Sequence, residues 1–225
     1  MAFTQPLPMP DSTPPRLTMR DVFASVSETL NLDRGIFRTL LDLMISPQAF
    51  FQTYFFQDRS KYSKPMTLLL LMLAAAVLSC RHFLPTNHSY SPNLFLTITA
   101  SNQDELNRLT LIREYDDVLR LLLVPATSVL SYAVFPKQAW NFAEHLTFNA
   151  FILAFQFFLM ALLVPLAGQH YEPVAGVAVL GYFLVTYQRC MQGPWLATLL
   201  KSIGVVIGSS LIFLALFYPL AQWVL

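Results

Sequence analysis

Long apolar stretches fill the last two-thirds of the chain and alternate with short polar segments. A transmembrane helix needs about 20 mostly apolar residues, and five windows are apolar over close to that length. The five windows are residues 65–84, 118–136, 145–167, 173–189 and 202–224. Pro125 and Pro219 lie inside the second and the fifth, where neighbouring helices can satisfy the carbonyl groups that proline leaves without a donor. The pattern predicts an all-α fold: a polytopic membrane helical bundle with about five transmembrane helices, in a domain of residues 65–225.

The residues ahead of the first window have a different pattern. Residues 1–19 are polar and rich in proline, which predicts a disordered N-terminus. Residues 20–64 place apolar side chains at helical spacing with basic residues between them, which predicts short amphipathic helices. Ser46 and Pro47 begin one of these helices, because a capping residue followed by proline at the first helical position favours a helix start. The helices either lie in the membrane interface or pack on the bundle as a small cytoplasmic cap, and the sequence leaves both arrangements open.

The composition excludes several classes of protein. Hydrophobic residues make up 55% of the chain and charged residues 12%, against about 45–50% and about 25% in average soluble domains. The mean hydropathy is +0.51. So little charge cannot cover the surface of a water-soluble globule of 225 residues, and it excludes a nucleic-acid-binding module, a disordered chain and a disulfide scaffold. We therefore expect a membrane protein with no nucleic acid partner.

The positions of Lys and Arg predict an orientation, because cytoplasmic segments of membrane proteins carry an excess of them. Seven of the 14 basic residues lie in the first 64 positions. With the N-terminus inside, those seven join Lys137, Arg189 and Lys201 on the inner side, and the remaining four lie outside. We expect a cytoplasmic N-terminus, a C-terminus on the opposite side, and a polar outer loop over about residues 85–117.

Polar residues recur at helical spacing in and just before the third window. The stripe consists of Asn141, His145, Asn149 and Gln156, with Glu144 beside it. Polar groups are costly in hydrocarbon and turn toward a bundle interior or a water-filled cavity. One interpretation is a polar pathway, or a lipid-headgroup or proton-relay site. The other is interhelical hydrogen bonding that stabilises the bundle by roughly 0.6–2 kcal/mol per contact.

Basic residues are concentrated just ahead of the first window. Arg34 and Arg38 share one helical face, and Arg59, Lys61 and Lys64 immediately precede the span. Such a group can bind anionic lipid headgroups or a partner, with about 1 kcal/mol per basic residue near the surface. The alternative is that these residues only set the topology.

The sequence carries no recognisable catalytic motif. A Gly-rich phosphate loop and the G-x-S-x-G, H-E-x-x-H and C-x-x-C patterns do not occur in it. We therefore predict no catalytic residues, no metal site and no cofactor. Cys80 and Cys190 fall on opposite sides of the membrane in the predicted topology and cannot pair. Gly204 and Gly208 form a GxxxG pair, which allows another helix of this chain or of a partner to approach closely.

The run from Leu32 to Pro65 resembles a bacterial multi-pass membrane-protein family of unknown function, whose members often begin with a cytoplasmic zinc ribbon. That family carries a DRG-x-x-RT run, a proline about eight residues later, and a Y…R-x-x-Y-x-x-P approach to the first span. The matching positions are Asp33, Arg34, Gly35, Arg38, Thr39, Pro47, Tyr54, Arg59, Tyr62 and Pro65. The resemblance implies a polytopic protein of the bacterial cytoplasmic (inner) membrane, with the C-terminus in the periplasm, and implies no activity.

A second run, from Glu144 to Phe148, is similar to the EHL-x-F entry of that family to a middle span. Phe151 and Leu153 stand where the resemblance implies histidines, which weakens a histidine-cluster metal or proton site in this chain. The family's zinc ribbon has no counterpart in these 225 residues. At the level of fold alone, a basic amphipathic segment followed by five spans also resembles the Yip1-like five-helix membrane proteins.

Three functions follow as hypotheses. The first is an accessory or scaffold subunit that binds a membrane partner complex or organises lipid. The second is a small permease or lipid-handling protein that uses the polar face of the third span. The third and least favoured is a membrane enzyme. The expected partners are membrane lipids and, under the first hypothesis, another membrane protein complex.

Overall fold

The computed structural model describes residues 35–83, 120–136, 140–168, 171–191 and 193–223. The predicted disordered N-terminus, Arg34 and the predicted outer loop lie outside these residues. Within them the fold is all-α without a strand, which confirms the predicted class. The α-helices are α1 (Gly35–Ile45), α2 (Pro47–Phe56), α3 (Pro65–Phe83), α4 (Leu123–Val134), α5 (Phe142–Ala167), α6 (Tyr171–Cys190) and α7 (Trp195–Trp223). Short 3₁₀ turns, Arg59–Lys61 and Arg120–Leu122, precede α3 and α4.

Three helical stretches of the described chain are long and apolar enough to cross a membrane. They are Arg59–Phe83, Phe142–Ala167 and Trp195–Phe213, which contain α3, α5 and most of α7. The stretch Arg120–Val134, which contains α4, is apolar but shorter. By length and composition, these three stretches correspond to the first, third and fifth of the five predicted spans.

The helices α3 and α5 run in the same direction. Near their ends, the Ser79 hydroxyl donates a hydrogen bond to the Ala161 carbonyl at 2.9 Å. Just before α3, the Tyr62 ring packs on Phe50, which packs on Phe151 in the first half of α5. Both helices therefore begin at one end of the molecule, which we call the basic end. Its exposed basic side chains include Arg59, Lys61, Lys64, Arg189 and Lys201.

The helix α6 returns toward the basic end. Its Tyr182 ring stacks on Phe155 with centroids 4.1 Å apart, and one to two turns later its Tyr187 ring meets Phe148 at 5.1 Å. From the first contact to the second, the residue number increases on α6 and decreases on α5. The two helices are therefore antiparallel.

The helices α4 and α7 complete a four-helix arrangement with α5 and α6. Near the end of α4, Ser131 lies beside His145 at the start of α5. Lys201, early in α7, lies over the ring of Phe135, which follows α4. The helix α4 therefore ends at the basic end, and α7 begins there. One glycine of the GxxxG pair, Gly208, packs tightly here, because a Cβ at this position would lie 3.0 Å from Leu130 of α4.

The centre of the bundle is α5. Eight consecutive residues, 148–155, are buried. Such a run covers more than two helical turns, so neighbours must surround this part of α5 on every side. The helices α3, α4 and α6 cover three sides. The remaining side is covered by α2.

The helix α2 packs its aromatic face against the bundle. Phe50, Phe51, Tyr54 and Phe55 are buried on this face. Aromatic pairs at 4.5–7 Å add about 0.5–1.5 kcal/mol each beyond the area they bury, and Phe151 of α5 makes three such contacts, with Phe50, Phe51 and Tyr54. The helix α2 is therefore packed on α5, and the location of the whole segment relative to the membrane interface stays a prediction.

The helix α1 is joined to the start of α3 by a close approach. The Thr39 hydroxyl accepts a hydrogen bond from the Ser63 backbone N–H at 3.0 Å and donates one to the Gly35 carbonyl at 2.5 Å. A Cβ at Gly35 would lie 3.5 Å from the Ser63 nitrogen. With α2, which packs on α5, this helix forms a hairpin at the basic end.

Candidate functional site

Two residues of the predicted polar stripe cap the start of α5. The Asn141 side chain accepts a hydrogen bond from the Glu144 backbone N–H at 2.9 Å, and the Glu144 carboxylate accepts one from the Asn141 backbone N–H at 2.7 Å. This reciprocal pair is a capping box, which satisfies two backbone donors that a helix start leaves open. Both residues therefore lie at the helix terminus, and the structure gives them a local structural role.

The next two residues of the stripe, His145 and Asn149, meet three side chains from other helices. The five form the polar cluster, which consists of Ser128 and Ser131 from α4, His145 and Asn149 from α5, and Tyr187 from α6. All five are buried. The cluster lies at the basic end of the bundle, about two turns inside the start of α5.

Asn149 is the hub of the polar cluster. Its carbonyl oxygen accepts a hydrogen bond from the Tyr187 hydroxyl at 2.6 Å. Its amide nitrogen lies 3.2 Å from Ser128 Oγ, 3.1 Å from Ser131 Oγ and 2.9 Å from the His145 carbonyl. One side chain thus bonds to α4, α6 and its own helix. In an apolar interior, such bonds fix which helix faces meet, because the unpaired alternative is costly.

His145 has one ring nitrogen inside the cluster and one outside it. Its Nδ1 lies 3.0 Å from Ser131 Oγ. Its Nε2 is buried and has no hydrogen-bond partner among the described residues. The surrounding rings are aromatic, with the centroid of Trp140 at 5.8 Å and that of Tyr132 at 5.7 Å. The fifth residue of the stripe, Gln156, is half-buried and lies outside the cluster.

The predicted basic group is placed around the hairpin. Arg38 lies 3.8 Å from Asp42 and over the ring of Tyr62 at 5.7 Å. The Arg59 guanidinium donates to the Tyr54 carbonyl at 3.2 Å. These two arginines therefore also make contacts within the protein.

The two lysines of the group lie at the approach to α3. Lys61 is 3.5 Å from Asp58, and Lys64 is exposed. Hydrogen bonds from the Ser60 side chain and backbone hold the pKa of Asp58 below its usual value, with Lys61 adding to the effect. Lys61 and Lys64 both place positive charge at the surface in front of this span.

The described residues bring no three His, Cys, Asp or Glu side chains together in a way that could hold a metal ion. Cys80 lies near the end of α3, away from the basic end, and Cys190 ends α6 at the basic end.

Sequence reasoning did not find Ser128, Ser131 or Tyr187 as members of the polar cluster. Ser128 and Ser131 are three residues apart, and therefore share one face of an otherwise apolar helix. That spacing, the same kind of signal as in α5, was the available clue. Tyr187 lies one helical turn after Phe183 on an aromatic face, and nothing in its spacing separates it from ordinary core residues.

These features define an all-α protein with membrane-length helices, a central helix held by an interhelical polar cluster, and an aromatic hairpin packed beside it. Residues 33–77 match the model of a family described as "Protein of unknown function (DUF3667)". This segment contains α1, α2 and most of α3. The searches against curated proteins and solved structures found no match. The similarity of the segment after Leu32 to a family of unknown function is thereby confirmed, whereas the multi-pass bacterial character of that family and the Yip1-like relation remain predictions.

Proposed function

We propose that this chain is an integral membrane protein that acts as an accessory or scaffold subunit and binds a membrane partner complex or organises lipid. The observation that carries the proposal is the bonding of Asn149, whose amide is occupied by partners on α4, α5 and α6. A polar group used in this way stabilises the bundle and leaves the exposed helix faces as the surfaces available for interaction.

The proposal includes five membrane passes. The helices α3, α5 and α7 begin at the basic end, so the chain must return to that end between each pair. The helices α4 and α6 run in the returning direction. With positive residues inside, the basic end faces the cytoplasm and the C-terminus the periplasm, in the bacterial inner membrane that the resemblance implies.

Two exposed positions at opposite ends test this topology. In the Cys80→Ala/Cys190→Ala background, Ser60→Cys places a thiol at the basic end, and Arg81→Cys places one at the other end of the same helical stretch. A membrane-impermeant maleimide applied to intact bacterial cells should label position 81 and leave position 60 unlabelled until the cells are opened. Labelling of position 60 in intact cells contradicts the proposed orientation.

Co-purification in mild detergent tests the function itself. A scaffold should bring a partner protein in fixed stoichiometry, or anionic lipid retained at the basic end. For lipid, the variant Lys61→Gln/Lys64→Gln should lose retained phosphatidylglycerol, measured by native mass spectrometry, and Arg81→Gln at the far end is the matched control. Equal retention in both variants, with no partner protein, contradicts the proposal.

The alternative is a small permease or lipid-handling protein that uses the polar face of α5. The buried Nε2 of His145, which has no partner among the described residues, favours it. A permease would retain a solute or lipid bound at this face, and replacing Gln156 with Leu would release that molecule from the purified protein. A scaffold should show no such change, because Gln156 lies outside the polar cluster.

A further inference from the structure

The helix α1 has an unusual distribution of apolar residues. One face is buried and includes Ile36, Leu40 and Leu43. A second face, which lies beside Arg38 and Asp42 and which we call the α1 stripe, is also apolar but exposed. The α1 stripe consists of Phe37, Leu41, Met44 and Ile45, whose exposed fractions are 77%, 53%, 57% and 61%. A water-exposed helix normally carries polar residues on this side, so water is an unfavourable surrounding for it.

The position of the hairpin along the bundle indicates what surrounds the α1 stripe. Its open end is at the basic end, where Gly35 lies against Ser63. Its closed end reaches the middle, because the Leu43 carbonyl accepts a hydrogen bond from Tyr182 at 3.3 Å, and Tyr182 stacks on Phe155 close to the midpoint of α5. The helix α1, with its 11 residues, therefore extends about 16 Å from the basic end to near the middle of α5. This distance is about half the thickness of a bilayer's hydrocarbon core.

We propose that α1 and α2 form a re-entrant hairpin, which enters the leaflet at the basic end and turns back at mid-membrane, with the α1 stripe in contact with lipid acyl chains. The inference rests on the proposed membrane location. The α1 stripe begins beside the start of α3, whose own outward face includes the exposed Met66 and Leu70. Both faces are apolar and exposed and begin at the same end of the molecule, so acyl chains that contact this part of α3 can contact α1 as well.

Hydrocarbon requires backbone groups to be satisfied within the protein, and several groups at the turn of the hairpin are bonded in this way. The Ser46 N–H donates to the Asp42 carbonyl at 2.9 Å, and the Phe50 N–H donates to the Ser46 carbonyl at 3.0 Å. Pro47 has no N–H to satisfy. The Leu43 carbonyl, which a helix end would leave open, is bonded to Tyr182.

The charges of α1 fit the same arrangement. Arg38 and Asp42 pair with each other at 3.8 Å, which lowers the cost of placing each near hydrocarbon. The exposed side of α2 is more polar, since it carries Gln48 and Gln52 as well as Phe56 at its end. We therefore assign the acyl-chain contact to α1 alone.

Site-directed spin labelling of the reconstituted protein tests the proposal. Single cysteines are introduced at Phe37, Leu41 or Met44 in the Cys80→Ala/Cys190→Ala background, and the protein is placed in vesicles of phosphatidylethanolamine and phosphatidylglycerol. Leu70→Cys on α3 is the control for a lipid-facing position, and Lys61→Cys is the control for water. Collision rates of the nitroxide with oxygen and with a water-soluble nickel chelate give exposure and depth. All these positions are exposed, so the substitutions remove little packing.

The proposal expects positions 41 and 44 to match position 70, with high oxygen and low nickel collision rates. It also expects depth to increase from position 37 to position 44, because the helix descends about 10 Å over seven residues. Equal depth at both positions would mean that α1 lies flat in the interface, and would overturn the re-entrant hairpin. High nickel collision rates at position 41, or low rates for both reagents as under a partner protein, would overturn the acyl-chain contact. Water exposure at position 70 would instead overturn the membrane location.

Discussion

The central helix α5 is held on two sides by different kinds of interaction. Toward α4 and α6, Asn149 makes hydrogen bonds to side chains of both neighbours. Toward α2, Phe151 meets the aromatic rings of Phe50, Phe51 and Tyr54. The two residues are half a turn apart on one helix. The hydrogen-bonded side depends on which donors and acceptors are present, whereas the aromatic side depends on volume and shape, so different substitutions should break each.

The largest effect is expected on the aromatic side. Phe151→Ala should lower the free energy of unfolding by about 3 kcal/mol, at the lower end for such a truncation, because the ring leaves a cavity among Phe50, Phe51 and Tyr54. Denaturation of the purified protein in mixed micelles with sodium dodecyl sulfate measures this. Leu162→Ala, at an exposed position of the same helix, is the control. An equal loss in the two variants would contradict the importance of this contact.

The polar side should respond next. Asn149→Leu keeps the approximate volume but removes the partner of Tyr187, Ser128 and Ser131, so stability should fall by about 2 kcal/mol. Gln156→Leu on the same helix should change stability by less than about 0.5 kcal/mol, since it lies outside the polar cluster. The same denaturation experiment compares them. If both variants are as stable as the original protein, the cluster does not hold the bundle.

The capping box can be tested separately from both sides of α5. Asn141→Ala removes the acceptor for the Glu144 N–H and should cost about 1 kcal/mol. Asn141→Asp retains an acceptor and should cost less. A matching loss in the Ala and Asp variants, in thermal unfolding followed by circular dichroism, would show that the cap is not the cause.

The smallest expected effect compares two tyrosine hydroxyls. Tyr187→Phe removes one hydrogen bond to Asn149 and should cost about 0.6 kcal/mol, the average for interhelical hydrogen bonds in a membrane protein. Tyr182→Phe removes the longer bond to the Leu43 carbonyl and should cost less in detergent. Because that bond satisfies the turn of the hairpin, the cost should increase in a bilayer. If Tyr182→Phe lowers stability equally in detergent and in bilayers, the Leu43 carbonyl does not need this hydrogen bond because of surrounding hydrocarbon.

The periodicity of the sequence predicted where individual helices lie along the chain better than it predicted which helices pack against each other. The first window, residues 65–84, agrees closely with α3, and the third agrees with α5 apart from its first turn. The fifth window began after Lys201, whereas α7 begins at Trp195. The predicted window began after Lys201 because a charged residue interrupts an apolar run. A lysine can nevertheless lie inside a helix, since its long side chain extends the charge toward the interface.

The candidate site was predictable only on the helix that carries the pattern. His145 and Asn149 stand out because polar residues are rare in an apolar run. Their partners lie on other helices, and the pairing of helix faces depends on three-dimensional packing that spacing along one helix does not encode. For the same reason, the aromatic residues of α2 predicted an amphipathic helix but not its contact with Phe151.

The contact between α2 and α5 also imposes an order on biogenesis. Phe50 and its partner Phe151 are separated by about a hundred residues of chain. During synthesis α2 leaves the ribosome long before α5 and α6 exist, so the surfaces that cover its aromatic face are not yet made. Until then, the hairpin must stay beside α3 with its aromatic face covered by lipid or by the insertion machinery. It can pack on α5 and α6 only after α6 has been inserted. A chain truncated before α5 should expose this aromatic face and be a preferred substrate for membrane quality-control proteases.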